Sequence, residues 1–251
     1  MTELVHRSDD RGVATIELDS PHNRNAMSAA LVEQLLAALT AAGADDTVRV
    51  VRLTHSGPVF CAGADLKETS TSSPATEGAV ALIRAIVEMP KPVVAVINGH
   101  VRAGGLGLVG ACDIALAGRE RSTFAFAESR IGVAPAIISM STVGRMTERS
   151  VSRYFLTGAA FRADTAERVG LITEAVDDAA AAADALVDEI RLCSPQGLRE
   201  TKLLTTASVR AALDANAAEL AALSARLFDT NEAREGIAAF LEKRPTAWAI
   251  R

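Results

Sequence analysis

The stretch KPVVAVINGHVRAGGLGLVGACDIALA, residues 91–117, decides the reading of the fold. Val93 to Ile97 is an apolar, β-branched run after the Pro90–Pro92 pair, so it reads as a buried strand. NGHVRAGGLGL turns into a helix to about Ala111, and Asp113 to Ala117 reads as the next strand. Strand, helix, strand in so few residues implies parallel strands joined by a crossover helix. Gly104 and Gly105 open that helix. Its N-terminus carries roughly half a positive charge on unpaired N–H groups, which suits a phosphate or a developing oxyanion. Tight helix–strand packing is the alternative. The spacing is not GxGxxG and no ribose-binding acid follows, so a dinucleotide site is a poor reading.

The pattern continues on both sides. Val13 to Leu18 (VATIEL) alternates as a strand, PHNRNAMS (21–28) is a turn, and Ser28 caps a helix through about Ala42. Val48 to Leu53 is a further strand, and 57–67 (GPVFCAGADLK) carries a strand into a glycine turn and a short helix. STSSPAT (70–76) is the one soft stretch, expected to be a mobile loop, and 77–89 is helical. Thr123 to Phe126 is strand-like. After Glu128, residues 137–156, 164–169, 178–192, 195–205, 208–227 and 230–242 read as helices, with a short strand near 171–176. An α/β core over 1–190 and a helical region over 191–251 are expected.

Composition narrows the function. Apolar residues make up 49% and aromatics 4% of the 251 residues, so few rings are available to stack on bases. The net charge of −5 argues against a nucleic-acid partner or an anionic membrane surface. No apolar run reaches the roughly 20 residues of a membrane span, and the polar N-terminus carries no secretory signal. Cys61, Cys112 and Cys193 lack CxxC spacing and read as buried free thiols in a reducing cytoplasm. The four histidines show no metal-ligand spacing.

Two further places bear on chemistry. CAGADL (61–66) lets a sharp glycine turn aim free N–H groups into a pocket, or is a simple strand-to-helix turn. Glu128, in FAFAESRIGVAPA (124–136), follows an apolar strand, and burial there would raise its pKa toward the range useful for acid/base work. Alternatively it is a surface group or a partner of Arg130. Cys61 reads as a packed thiol, Asp113 as a turn or ion-pair residue and Trp248 as a packing anchor. Lys67 is placed to reach a phosphate.

RNAMS (24–28), FCAGADLKE (60–68), the 91–117 stretch, FAFAESRIGVAP (124–135), FLTGAAFRADTAERVGLITEAV (155–176) and REGIAAFLEKR (234–244) occur in order over nearly the whole chain. In this the sequence resembles the crotonase family, the enoyl-CoA hydratases and isomerases. The resemblance implies an α/β fold, a spiral of ββα units with a helical C-terminal trimerisation region, and a homotrimer or dimer of trimers. It implies an acyl-CoA thioester substrate and no cofactor beyond the coenzyme A the substrate carries. The backbone N–H groups of Ala64 and Gly104 match the family's oxyanion hole. Arg24, Asn25, Ala26, Ala62, Asp65, Leu66, Lys67 and Gly105 match positions along coenzyme A, and Phe240 and Lys243 positions that close over it from a neighbouring subunit.

One departure matters. Family hydratases use two glutamates, and here the first of those positions is Gly107 while the second is Glu128. Three readings follow from it. The first is a hydratase with Glu128 as its protein acid/base. GGLGL and APAIIS (134–139) resemble bacterial relatives of 3-methylglutaconyl-CoA type, which implies a branched or carboxylated enoyl group and a place in fatty-acid or branched-chain amino-acid breakdown; Arg102 and Arg130 are candidates to meet its carboxylate, or lie on a solvated face or an interface. The second is a Δ3–Δ2 enoyl-CoA isomerase using Glu128 alone, and the third is an acyl-CoA carrier without catalysis. What stands beside Gly107 separates them: an ordered water favours hydration, a side chain isomerisation or plain binding.

Overall fold

A strand of alternating burial sets the first sheet. In β2 (Val13–Leu18), Ala14, Ile16 and Leu18 enter the core while Thr15 and Glu17 stay half-buried. The computed structural model describes residues 2–68 and 74–250. Of the loop expected at 70–76, residues 70–73 lie outside the described residues, and Pro74 already begins a helix. The chain continues through α1 (Ala29–Ala44), β3 (Val50–His55), β4 (Val59–Cys61), α2 (Pro74–Glu88), β5 (Val93–Ile97), β6 (His100–Arg102) and α3 (Gly104–Ala111). It then runs β7 (Ile114–Gly118), β8 (Thr123–Ala125), α4 (Ala136–Thr142), α5 (Glu148–Thr157), β9 (Phe161–Arg162), α6 (Ala163–Arg168) and β10 (Glu174–Val176). Helices α7 (Ala179–Arg191), α8 (Pro195–Thr205), α9 (Ala207–Phe228) and α10 (Asn231–Glu242) follow.

An additional strand, β1 (Val5–Asp10), leads the chain, and the first sheet has the order β1-β2-β3-β5-β7-β10. The second has the order β4-β6-β8-β9. Each turn of the spiral gives a long strand to the first sheet and a short one to the second: β3 with β4, β5 with β6, β7 with β8. Neighbours from successive turns pair in parallel, as Val51 with Val93, Val94 with Ile114 and Val101 with Phe124. The spiral of ββα units is therefore present. β1 escaped the sequence reading because it is an edge strand: beyond Val5 its side chains are half-buried or exposed, so it has no apolar alternation. It is held by antiparallel pairing to β2 and by the Gln34 amide oxygen, which accepts from Leu4 N at 2.7 Å.

Ser28 caps α1 as expected, its side chain accepting from Leu31 N. The single helix expected over 137–156 is two, broken around Gly144, with Thr147 at the start of the second. The helical C-terminal region folds back on the spiral, and Val209 and Leu213 of α9 share its main core. Lys202 of α8 is buried there. Its Nζ lies 2.8 Å from the Asp113 carboxylate and donates to the carbonyls of Ile86 and Lys91. Desolvation pulls Lys202 below its ordinary pKa and Asp113 opposes that. Asp113 is thus an ion-pair residue, as read. Trp248, read as a packing anchor, is 39% exposed near the C-terminus.

Candidate active site

Three backbone segments converge where the short strands of the second sheet end. The first is the turn after β4. Gly63 there has φ +88°, a left-handed conformation that a Cβ would strain. The second is the loop 24–27, stitched to that turn: Ala62 N–H donates to the Arg24 carbonyl at 3.2 Å and Met27 N–H to the Gly63 carbonyl at 2.8 Å. Asn25 fixes this loop from inside. Its side chain accepts from Ser20 N and donates to the carbonyls of Ser56 and Val59. The third is the turn after β6, where Ala103 takes φ +46° and ψ −123° immediately before α3. Such a conformation costs a residue with a Cβ about 1–3 kcal/mol and clusters at functional sites. The Ala103 N–H is anchored to the Ala125 carbonyl at 3.0 Å.

The result is a pair of adjacent N–H groups. A methyl built on Gly63 would stand 3.0 Å from the Gly104 nitrogen, and one built on Gly104 would stand 3.7 Å from the Ala64 nitrogen. Gly104 is the first residue of α3, where N–H groups have no intrahelical acceptor. Among the described residues, neither the Ala64 nor the Gly104 N–H donates to an acceptor.

Glu128 leaves the sheet at the same end. Arg102 pairs with Ala125 across β6 and β8, and Glu128 opens a 3-10 turn three residues beyond Ala125. It is 8% exposed, and its Oε2 has no partner among the described residues. Burial pushes its carboxyl up from 4.5 to about 7, opposed by its own backbone N–H. Two unpaired donors and a carboxyl poised near neutrality suit a reaction that forms an enolate and moves one proton.

The space beside Gly107 is filled. A methyl built there would stand 2.6 Å from Ile138 Cγ2 and 3.3 Å from Ile83 Cδ1, and Ser141 Oγ donates to the Gly107 carbonyl at 2.9 Å. By the criterion set from sequence, a side chain in that space counts toward isomerisation or plain binding.

The remaining expected residues divide. Asn25, Ala26, Ala62, Asp65 and Gly105 gather around the N–H pair, with Leu66 half-buried beyond Asp65 and Arg24 and Lys67 exposed on the adjoining loops. Asp65 is tied locally, accepting from Asn23 Nδ2 and Lys67 N. Arg102 donates to the carbonyl and hydroxyl of Thr123, at the far end of β8. Arg130 is exposed and donates to the Thr157 carbonyl. Neither arginine is brought to the N–H pair by these bonds. Phe240 and Lys243 sit exposed at the end of α10, whose first turns pack on the turn after Glu128. Cys61 is a packed thiol, pushed up to about 12 by burial, and Cys112 is buried too, but Cys193, expected buried, is exposed just after α7. Sequence reasoning passed over Ala103 and Ile138, whose importance lies in a backbone angle and in a contact between distant segments. Among the described residues no group of His, Cys, Asp and Glu could hold a metal, and no helix is long and apolar enough to cross a membrane.

Residues 8–251 match the model of the enoyl-CoA hydratase/isomerase family. The chain belongs to that family, and at that level it is an enoyl-CoA hydratase-type enzyme with an acyl-CoA thioester as substrate. It is similar to an enoyl-CoA hydratase of Mycobacterium avium, at 52% identity and a TM-score of 0.93 over 99% of this chain and 100% of that one. It is 31% identical to the 2,3-dehydroadipyl-CoA hydratase of Escherichia coli, over 97% of each chain. It is 30% identical to the mitochondrial methylglutaconyl-CoA hydratase of Homo sapiens, over 94% of this chain and 74% of that one.

Proposed function

We propose that this chain adds water to a 2-enoyl-CoA thioester, with Glu128 as its acid/base and the Ala64 and Gly104 N–H groups as its oxyanion hole. The observation that carries the proposal is the buried Glu128 carboxyl, its Oε2 without a partner among the described residues and its pKa pushed to about 7, at the sheet end that presents the two free N–H groups. The thioester oxygen accepts from both N–H groups. As the hydroxyl of water bonds to the β-carbon, the C=C electrons move onto the thioester as an enolate. Glu128 gives its proton to the α-carbon from one oxygen and takes the spare water proton on the other. One water is added and the carboxyl is restored. Fixed donors favour the enolate over the ground state because the charge exists only there. Each is worth on the order of 10²–10³ in rate.

Coenzyme A runs along Arg24, Asn25, Ala26, Ala62, Asp65, Leu66 and Gly105, with the exposed Arg24 and Lys67 toward its phosphates. The stitched 24–27 and 62–64 loops support that path. Phe240 and Lys243, exposed on α10, are free to close over a neighbour's coenzyme A in a homotrimer or dimer of trimers, in the cytoplasm. A branched or carboxylated enoyl group is the finer proposal, drawing on the names of the methylglutaconyl-CoA and 2,3-dehydroadipyl-CoA relatives. For Arg102 to meet a carboxylate it would have to release Thr123. Unchanged discrimination between carboxylated and plain enoyl-CoAs in Arg102→Ala would remove that role.

The second reading is Δ3–Δ2 isomerisation, and the packing of Ile138 beside Gly107 favours it. There, ionised Glu128 takes the α-proton of a 3-enoyl-CoA and returns it at the γ-carbon. Incubation with 2-enoyl- and 3-enoyl-CoA, read by mass spectrometry, separates the readings. Gain of the mass of water from the 2-enoyl substrate, lost in Glu128→Gln, supports hydration. A shifted double bond without added mass supports isomerisation. Tight binding with no turnover over a broad panel overturns both in favour of a carrier.

A further inference from the structure

Met27 touches both halves of the N–H pair. Its backbone forms a parallel bridge with Ala64, and its N–H donates to the Gly63 carbonyl at 2.8 Å. Its side chain, 7% exposed, ends on the other half: a methyl built on Gly104 would overlap the Met27 Cε. Among the described residues beyond the chain neighbours of Gly104, the next atoms are Gly63 Cα at 3.5 Å and Ala64 N at 3.7 Å. One residue is therefore sewn by its main chain to the turn that carries the first donor and rests its tip on the residue that carries the second. The second turn is strained at Ala103, so it needs support from outside to hold its angle.

Resting on the oxyanion-hole reading above, we propose that Met27 is a positioning residue that sets the spacing between the Ala64 and Gly104 N–H groups. It touches no proton in flight and acts only through those donors. Removing its tip leaves Gly104 free to settle toward the 24–27 loop, and a misplacement near 1 Å costs about 10²-fold in rate. The effect falls on the enolate more than on the bound thioester, so turnover changes more than affinity.

The test compares Met27→Ala and Met27→Leu with wild type in three measurements on one enoyl-CoA. These are kcat and KM, the affinity for the saturated acyl-CoA, and the thioester carbonyl stretch of bound substrate by Raman difference spectroscopy. Met27→Ala is expected to lose on the order of 10–10² in kcat, with acyl-CoA affinity within about threefold and a carbonyl stretch shifted back toward that in water. Met27→Leu, of similar volume, is expected to return most of both signals. A folded Met27→Ala protein that binds acyl-CoA with the wild-type carbonyl shift overturns the Met27 proposal alone, whether or not turnover is seen. Wild type that binds no acyl-CoA, or binds it with no carbonyl shift, overturns the oxyanion-hole reading itself.

Discussion

Replacing Glu128 by Gln should make the protein more stable at alkaline pH while removing its chemistry. The carboxyl is buried and its Oε2 has no partner, and burial raises it from 4.5 to about 7. Below pH 4.5 the group is neutral folded and unfolded, so it exerts no pH-dependent effect. Between 4.5 and about 7 the unfolded chain loses the proton while the folded chain keeps it, and stability falls as pH rises. Above about 7 the folded protein holds an uncompensated charge and the loss is complete. At 1.36 kcal/mol per pH unit, that interval amounts to about 3 kcal/mol. Gln has the same shape and does not titrate. Urea unfolding of both proteins at pH 4, 6 and 8 should therefore show Glu128→Gln gaining on wild type by up to about 3 kcal/mol across the range. All other titrating groups cancel in the difference. A gap that stays flat with pH, or shrinks as pH rises, would refute the claim that Glu128 is desolvated and unpaired.

Four more outcomes follow from the same structure. If hydration needs protonated Glu128, kcat/KM for a 2-enoyl-CoA is level below about pH 7 and falls above it, whereas isomerisation of a 3-enoyl-CoA rises to a plateau; stopped assays over pH 5–9 distinguish the two. Lys202→Ala leaves the half-buried Asp113 without its cation and should cost up to about 3 kcal/mol in chemical denaturation, while Lys202→Met with Asp113→Asn recovers much of it. Gly107→Glu meets Ile138 and should lose about 1–3 kcal/mol by overpacking; adding Ile138→Ala restores room, and the double variant should gain hydration relative to isomerisation by product mass. Asn25→Ala strands a buried N–H and two carbonyls, so thermal melts should show a loss of about 3 kcal/mol or more, and the loosened 24–27 loop should raise KM for acyl-CoA.

The parallel strands of the α/β core were legible because they are buried and β-branched, whereas the ββα spiral was implied by the family resemblance. VVAVI between a proline pair and a glycine turn has few alternatives, and β5, α8 and the Ser28 cap fall where the sequence places them. Polar edges were not legible: VHRSDD becomes β1 only because β2 offers it a ladder. The site shows the same division. Ala64, Gly104 and Glu128 stand in short motifs whose glycines and position after a strand have a local meaning. The roles read for Arg102 and Arg130 rested on charge alone, and charge does not reveal that Thr123 and the Thr157 carbonyl hold them. Ile138 against Gly107 and Met27 against Gly104 join residues far apart in the chain, and such contacts exist only once the chain has folded.

The claim that unites hydration and isomerisation is that the site stabilises a thioester enolate while Glu128 moves the α-proton. Exchange of the α-protons of a saturated acyl-CoA with deuterated water, followed by proton NMR, tests this without a double bond or added water. The account predicts exchange with wild type, at a rate that falls by several orders of magnitude in Glu128→Gln while acyl-CoA binding is kept. Firm binding without exchange in wild type, or exchange that survives the loss of the Glu128 carboxyl, would contradict it.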